Sequence, residues 1–424
     1  MPPPPISPAQ LEPPAGRKGP YADPAATIGG LYVHVPFCLE KCGYCDFYSL
    51  ALDLDRVDAT VDAILHELDL ELADTPFAIR TVFIGGGTPT VLPRPAFDRL
   101  FEGISQKARN AARGCGISEF TVEANPATLD AGKARLLRQL GVNRLSFGAQ
   151  SFNRAELAVL DRRHDPAAVT SSLQIAREAG FEHLSVDLIF GTPGQSLASW
   201  RYSLEQAVRL PIDHISAYAL MYEANTALTA RRDRGLLRPM PEEQEAELFN
   251  FTGSFLADAG FARYEISNFA RPNTAERSPP PELAVAAAAP AAACWHNLIY
   301  WDNRPYVGVG PSAAQFKHGI RRRNIPNLRE YLLGVQTGQP RIAEQETIHH
   351  DAFCTDLAWL RLRLACGLNL EEYAARTGER AEQRFAYAIN RHTAGGLLEQ
   401  AGPHLRLTQA GIPLASYVSR DFLG

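Results

Sequence analysis

Residues 31–47 read LYVHVPFCLEKCGYCDF, a short apolar run that delivers three cysteines, Cys38, Cys42 and Cys45, to the loop behind it. Five more short apolar runs follow, at 80–84, 119–123, 143–147, 183–189 and 214–220. Longer amphipathic stretches such as 56–73, 129–140, 166–179 and 197–210 separate them, often closed by a glycine as at Gly141 and Gly180. Strands alternating with helices predict a mainly parallel α/β sheet, and six such units suit either a barrel or a doubly wound sheet. The strand ends tip the balance. They lead into Cys38, Gly85-Gly86-Gly87-Thr88, Glu123 and Asn125, Gly148 and Gln150, Asp187 and Tyr218. Six segments bringing polar chemistry to one mouth is what a partial (β/α) barrel of the TIM type requires, with its site at the carboxyl ends of the strands.

Outward from this body the chain of 424 residues divides further. Residues 1–27 hold nine of the 31 prolines and almost no large apolar side chains, which predicts a disordered arm. The barrel is expected over 28–271. An alanine- and proline-rich low-complexity stretch at 272–293 reads as a disordered insertion, and 294–340, with HNLIYW at 296–301, as a segment closing the barrel. From 341 to 424 the pattern is mostly helical with a hairpin, a small C-terminal domain of winged-helix type that packs against the barrel.

Composition excludes several functions. A formal charge of -5 supplies no basic footprint for nucleic acid, and the pair Arg231-Arg232 and the run Arg321 to Arg323 are short enough to be solvated ends. No stretch approaches the roughly twenty apolar residues of a membrane span, since the longest, 283–294, is broken by Pro290. The N-terminus lacks the basic start and apolar centre of a signal peptide. Seven cysteines, three of them within eight residues, fit a reducing cytoplasm with metal-binding thiols better than a disulfide framework. Cys115, Cys354 and Cys366 carry no motif and read as core.

Three thiols in one loop suit a soft metal centre. Two centres compete, a tetrahedral structural zinc and an iron–sulfur cluster. Structural zinc is closed by a fourth protein ligand, whereas no fourth cysteine lies in this loop and the nearest alternative, His34, sits on the strand. The spacing favours the cluster and leaves zinc open.

The same stretch, together with FIGGGTPT (83–90), GVNRLSFGAQSF (141–152), VDLIFGTPGQ (186–195) and HNLIYW, resembles the radical S-adenosylmethionine superfamily. Within it the motifs are similar to the oxygen-independent coproporphyrinogen dehydrogenase-like family, and more closely to its HemW-type haem chaperone branch. The resemblance runs from residue 31 to the C-terminus, except for the low-complexity stretch. It implies a 4Fe-4S cluster on Cys38, Cys42 and Cys45, with S-adenosylmethionine chelating the fourth iron and an electron donor feeding the cluster. It further implies that Tyr32 and Tyr44 flank the cofactor, that Gly86, Gly87 and Thr88 approach its methionine end, and that Glu123, Gln150, Arg162, Asp187 and Ala219 line its pocket.

Two activities are compatible with that resemblance. One is haem binding and delivery to client proteins, for which His296 or Cys294 would supply an axial ligand. The other is oxidative decarboxylation of coproporphyrinogen III to protoporphyrinogen IX. Against the second, Phe47 stands where enzymes of the family carry a further cysteine, and the proline arm is unlike their substrate-contacting N-terminal segment.

Overall fold

The computed structural model describes residues 21–23, 26–272 and 279–423. Six strand–helix units come first: β1 (Ile28–Val35), α1 (Leu54–Ala73), β2 (Ala78–Gly86), α2 (Arg94–Ala111), β3 (Glu119–Ala124), α3 (Ala131–Gln139), β4 (Arg144–Gln150), α4 (Pro166–Glu178), β5 (His183–Phe190), α5 (Leu197–Val208) and β6 (His214–Ala219), closed by α6 (Glu242–Asp258). Local chemistry starts and stops the helices. The side chains of Asp53, Asp130 and Asp165 accept from the first free amides of α1, α3 and α4, and Ser196 with Ser199 makes a reciprocal capping box on α5. Gly141 and Gly180, at φ 95° and 90°, take the left-handed turn that returns the chain to β4 and β5.

Strands β1 to β6 lie side by side in chain order, all parallel. A doubly wound sheet would reverse its order at a switch point, so this one is the curled sheet of a partial barrel. The remaining strands extend both edges: β7 (Ala262–Arg263) and β8 (Asn268–Ala270) beside β6, and β9 (Tyr306–Val309), β10 (Ala314–Lys317), β11 (Ile320–Asn324) and β12 (Ile342–Thr347) beside β1. The outward faces carry Leu31, Val33, Val82, Ile84, Phe120, Val122, Leu145, Phe147, Leu184, Val186 and Ile215, which pack with the helices into one core. The inward faces alternate with them and are polar: Tyr32, His34, Thr81, Glu119, Glu123, Arg144, Ser146, Ser185, Asp187, His214 and Ser216.

A helix plugs the bottom of this polar interior. In α7 (Trp295–Trp301) the first amides, of Trp295 and His296, donate to the buried Glu119 carboxylate at 2.9 and 2.8 Å. Arg144 donates to the Ala292 carbonyl just before it, at 3.0 Å. The stretch 272–293 therefore departs from the disordered insertion read in the sequence. Residues 273–278 lie outside the described residues, but Leu283, Val285, Ala286, Ala292 and Ala293 are buried beside Trp295, Leu298 and Tyr264. Alanine looks featureless in a composition, yet its small side chain is what close packing beneath α7 needs.

Two further boundaries shift. Residues 1–20 of the proline-rich arm lie outside the described residues, while Tyr21 and Asp23 are fastened to the C-terminal domain: the Tyr21 amide donates to Ile348 O at 2.9 Å, and Arg376 pairs with Asp23 at 2.6 Å. Residues 342–347, read as the start of that domain, are β12, paired with β11 in the large sheet, so the domain begins at Ile348. It contains α9 (His350–Leu362), β13 (Leu368–Asn369), α10 (Leu370–Thr377), α11 (Ala386–Ala394) and the hairpin of β14 (Leu398–Ala401) and β15 (His404–Leu407), a winged-helix order with its own core. The helix α8 (Leu328–Gln336) fills the connection between β11 and β12.

Asp302 joins the two bodies. It is fully buried and meets Arg304 at 2.7 Å, Arg361 of α9 at 2.6 Å and Arg376 of α10 at 2.8 Å, with Glu372 on Arg361 at 2.6 Å and Asp23 on Arg376 balancing the charge. Burial would raise the Asp302 pKa, and the three arginines outweigh it and hold the carboxyl below its ordinary range. Removing one partner from such a network strands buried charge. Asp302→Ala should therefore cost about 3–5 kcal/mol in urea unfolding. Glu344→Gln, which breaks the exposed pair with Arg323, should cost under about 1 kcal/mol.

Candidate functional site: a three-cysteine loop at the barrel mouth

The loop that carries the cysteines is pinned at its neck. Phe37–Cys38 pairs in parallel with Leu50–Ala51, and the Cys45 amide donates to Cys42 O at 3.2 Å, so the three thiols share one compact turn. All three are free and half-buried. Three half-buried thiols on one loop, with no fourth cysteine in it, make an incomplete set for a tetrahedral structural zinc and fit a multi-iron cluster with an open corner.

A chain of polar side chains ties the loop to the strand ends. Arg162 donates through one terminal nitrogen to Cys42 Sγ at 3.3 Å, and through the other to Asn125 Oδ1 at 3.0 Å and to the Gly148 carbonyl. Asn125 Nδ2 donates to Thr88 Oγ1 at 2.9 Å, and the Thr88 hydroxyl donates to Cys38 Sγ at 3.6 Å. The Arg162 Nε is buried without a partner. An orphaned guanidinium donor beside three thiols is what a bound anionic group at this mouth would satisfy. Gln150, buried with φ 64° at the bulge of β4, packs its amide against Gly148 beside the same guanidinium. Asn125 is a central member to which the sequence assigned no role. A signal was present: Thr121, Glu123 and Asn125 share one face of a strand by the period of two.

The glycines behave differently from the expectation. Their amides do not face an open mouth: Gly86 donates to Glu123 Oε2 at 3.2 Å, Gly87 to Val35 O at 2.8 Å and Thr88 to Phe37 O at 2.7 Å. Glycine is required because a Cβ would strike Glu123 at Gly85, the His34 ring at Gly86 and the Phe37 backbone at Gly87. The segment is thus locked to the base of the cysteine loop.

The other predicted residues spread around the mouth. Tyr32 and His34 share a hydrogen bond of 3.0 Å, and His34 Nε2 shares one with Tyr48 O at 2.7 Å. Tyr44 packs against Leu160, Ile189, Leu220 and Leu228, and Ala219 ends β6 opposite Phe190. Glu123 and Asp187 face each other inside the barrel. Burial, and then the Asp187 charge, push the Glu123 pKa up to about 8 against the Gly86 amide, while burial raises Asp187 against hydrogen bonds from Ser216 and Ser146.

Cys294 and His296 sit deeper than the sequence suggests. The Cys294 thiol is buried, donates to Glu119 Oε1 at 3.3 Å, and is pushed up to about 12 by burial and by that carboxylate. His296 is likewise buried and has both ring nitrogens engaged, Nδ1 with Thr81 Oγ1 and Nε2 with the Tyr300 hydroxyl, each at 2.8 Å. Above His296 lies a cavity of about 630 Å³, bounded by the barrel mouth, the cysteine loop, β10 and β11, and α9. Phe47, 65 % exposed, lies on its wall.

A carboxyl whose folded pKa exceeds its unfolded value supports the fold below the unfolded pKa, and that support is lost as pH rises through the folded pKa. The thermal midpoint of the cofactor-free protein should therefore fall as the pH rises from about 5 to about 8, the interval between the ordinary carboxyl value and that of Glu123, and level off above it. Glu123→Gln should flatten that fall; an equally steep decline in the variant would place the titrating group elsewhere.

Comparison with known proteins gives this geometry its family. Residues 32–207 match the radical SAM superfamily and residues 348–414 the HemN C-terminal domain. The protein is 33% identical over 400 residues to the heme chaperone HemW of Bacillus subtilis, covering 93% of this chain and 98% of that one. It is 35% identical over 400 residues to that of Mycobacterium tuberculosis (strain H37Rv), covering 93% and 95%. To that of Escherichia coli it is 31% identical over 390 residues, covering 90% and 94%. In fold it is similar to coproporphyrinogen III oxidase (HemN) from Escherichia coli, a radical SAM enzyme, with a TM-score of 0.78 at 22% identity over 95% of this chain and 91% of that one. The motifs, the three-cysteine loop at the mouth of a partial barrel and these relatives agree: the chain belongs to the heme chaperone HemW family, within the radical SAM superfamily.

Proposed function

We propose that this protein binds haem in the cavity above His296 and hands it to client proteins, with a 4Fe-4S cluster and S-adenosylmethionine held at the adjoining barrel mouth. The observation that carries the reading is the cavity itself. Its volume of about 630 Å³ is in the range of small-molecule sites, and its walls combine aromatic faces, among them Tyr48, Phe83, Tyr306 and Trp359, with the guanidinium groups of Arg321 and Arg323. A flat tetrapyrrole with two carboxylates needs both features, apolar stacking for the ring and cationic forks for the acids.

Cys38, Cys42 and Cys45 would hold the cluster, which together with S-adenosylmethionine supplies one-electron reduction of a sulfonium. Arg162 would orient the anionic end of that cofactor through its unpartnered Nε, and Asn125 and Thr88 keep the guanidinium and Cys38 in register. His296 is the axial ligand this arrangement favours over Cys294. Its Nε2 borders the cavity through a single hydroxyl, that of Tyr300, whereas the Cys294 thiol is spent on Glu119 beneath. An electron donor and a haem-receiving client are the partners the reading requires. Seven free thiols suit a compartment that keeps them reduced, the cytoplasm. Among the described residues, no helix is long and apolar enough to cross a membrane.

The family's decarboxylase chemistry is the second reading, and Phe47 argues against it, because an exposed apolar ring stands on the cavity wall where those enzymes carry a thiol. Anaerobically reconstituted protein titrated with haem should take up one per chain. Arg321→Gln and Arg323→Gln should each weaken uptake about tenfold. His296→Gln should shift the haem absorption band while Cys294→Ala leaves it in place. Given reductant, S-adenosylmethionine and coproporphyrinogen III, the protein should show no turnover; repeated turnovers would make it a decarboxylase.

A further inference from the structure

Far from the barrel mouth, the C-terminal domain brings together three side chains that belong to no sequence motif. His350 opens α9, Cys354 lies one turn later on the same face, and Glu379 follows the left-handed Gly378 that ends α10. His350 Nδ1 lies 3.4 Å from Glu379 Oε1 and 3.8 Å from Cys354 Sγ. We propose that these three residues form a binding site for a single divalent cation of borderline softness, Zn²⁺ being the one that fits.

The separations support this over a plain ion pair. A direct charge-assisted hydrogen bond between imidazolium and carboxylate closes to about 2.7–2.9 Å, shorter than the 3.4 Å gap here. Tetrahedral zinc with bonds of about 2.0–2.3 Å instead holds nitrogen and oxygen donors about 3.4 Å apart, and nitrogen and sulfur about 3.6 Å apart. The surroundings prepare each ligand. His350 Nε2 meets the Thr377 carbonyl at 2.7 Å, which places the proton there and leaves the Nδ1 lone pair free for a metal beside Glu379, while Cys354 Sγ lies along the ring, 3.6 Å from Nε2 and 3.8 Å from Nδ1. Metal-bound histidines are oriented by such a carbonyl. Arg384 takes the other carboxylate oxygen, Glu379 Oε2, at 2.8 Å, and so turns Oε1 toward His350. The buried Tyr373 side chain sits beside the thiol, positioned to donate to a sulfur that has lost its proton. The Tyr21 ring covers the imidazole edge-on at 5.0 Å, so the described end of the N-terminal arm roofs the site. Three protein donors leave one tetrahedral position for water or a fourth group.

Binding would release the thiol proton, with the metal forming bonds to Sγ, Nδ1 and Oε1, and no electron changes hands. The probe is Co²⁺ alone, added anaerobically to the metal-free full-length chain and followed by the sulfur-to-cobalt charge-transfer band. The band should persist when Cys38, Cys42 and Cys45 are all replaced by serine, and should be lost, with at least tenfold weaker binding, in Cys354→Ser and in His350→Gln. Should the triple variant fail to fold, the wild type still decides: either C-terminal substitution should lower the cobalt count by one. A wild-type count and affinity unchanged by both Cys354→Ser and His350→Gln would overturn the proposal.

Discussion

The floor of the barrel interior rests on one buried carboxylate, Glu119, on the inward face of β3. The interior of the curled sheet is polar, and a polar interior is costly unless each group finds a partner. Glu119 answers this by accepting the first amides of α7, which are otherwise unsatisfied at a helix N-terminus. With α7 seated, His296 bridges Thr81 of β2 and Tyr300, and that ring pair becomes the cavity floor. The apolar underside of α7 then has to be covered, which is the work of Leu283, Val285 and the alanines of the 279–293 stretch.

The mouth follows a related logic with a different outcome. Arg162 is placed where it reaches Cys42, Asn125 and the β4 carbonyl at once, so it couples the cysteine loop to two strand ends. One of its donors is left unpaired, and the Asp187 charge raises the proton affinity of the buried Glu123.

Domain docking uses a third arrangement of buried charge. Around Asp302 every carboxylate faces an arginine, so the interface between barrel and C-terminal domain is fixed by geometry. Because α9 carries both Arg361 and Trp359, the same docking that satisfies Asp302 brings Trp359 to the cavity above His296. Trp359 and Leu360 thus complete the wall of a cavity whose other lining residues come from the barrel body.

The six strand–helix units, the barrel class, the three-cysteine loop and the family were all legible in the sequence. Each of these is written in local spacing: a period of two or of 3.6, a cap, or thiols a few residues apart. The sequence also put Glu123, Gln150 and Asp187 at strand ends, which converge in a parallel barrel, whereas Arg162 lies on no strand and was named only from the family resemblance. It took the packed chain to show that Asn125 bridges Arg162 to Thr88, that the Gly86 amide is spent on Glu123 and the Gly87 amide on Val35, and that Cys294 lies beneath the cavity with His296 in its floor. It also showed that the alanine stretch is packed and that Cys354 has an imidazole and a carboxylate beside it. Those are contacts between segments far apart in the chain, made by crossing elements whose relative placement no local pattern encodes.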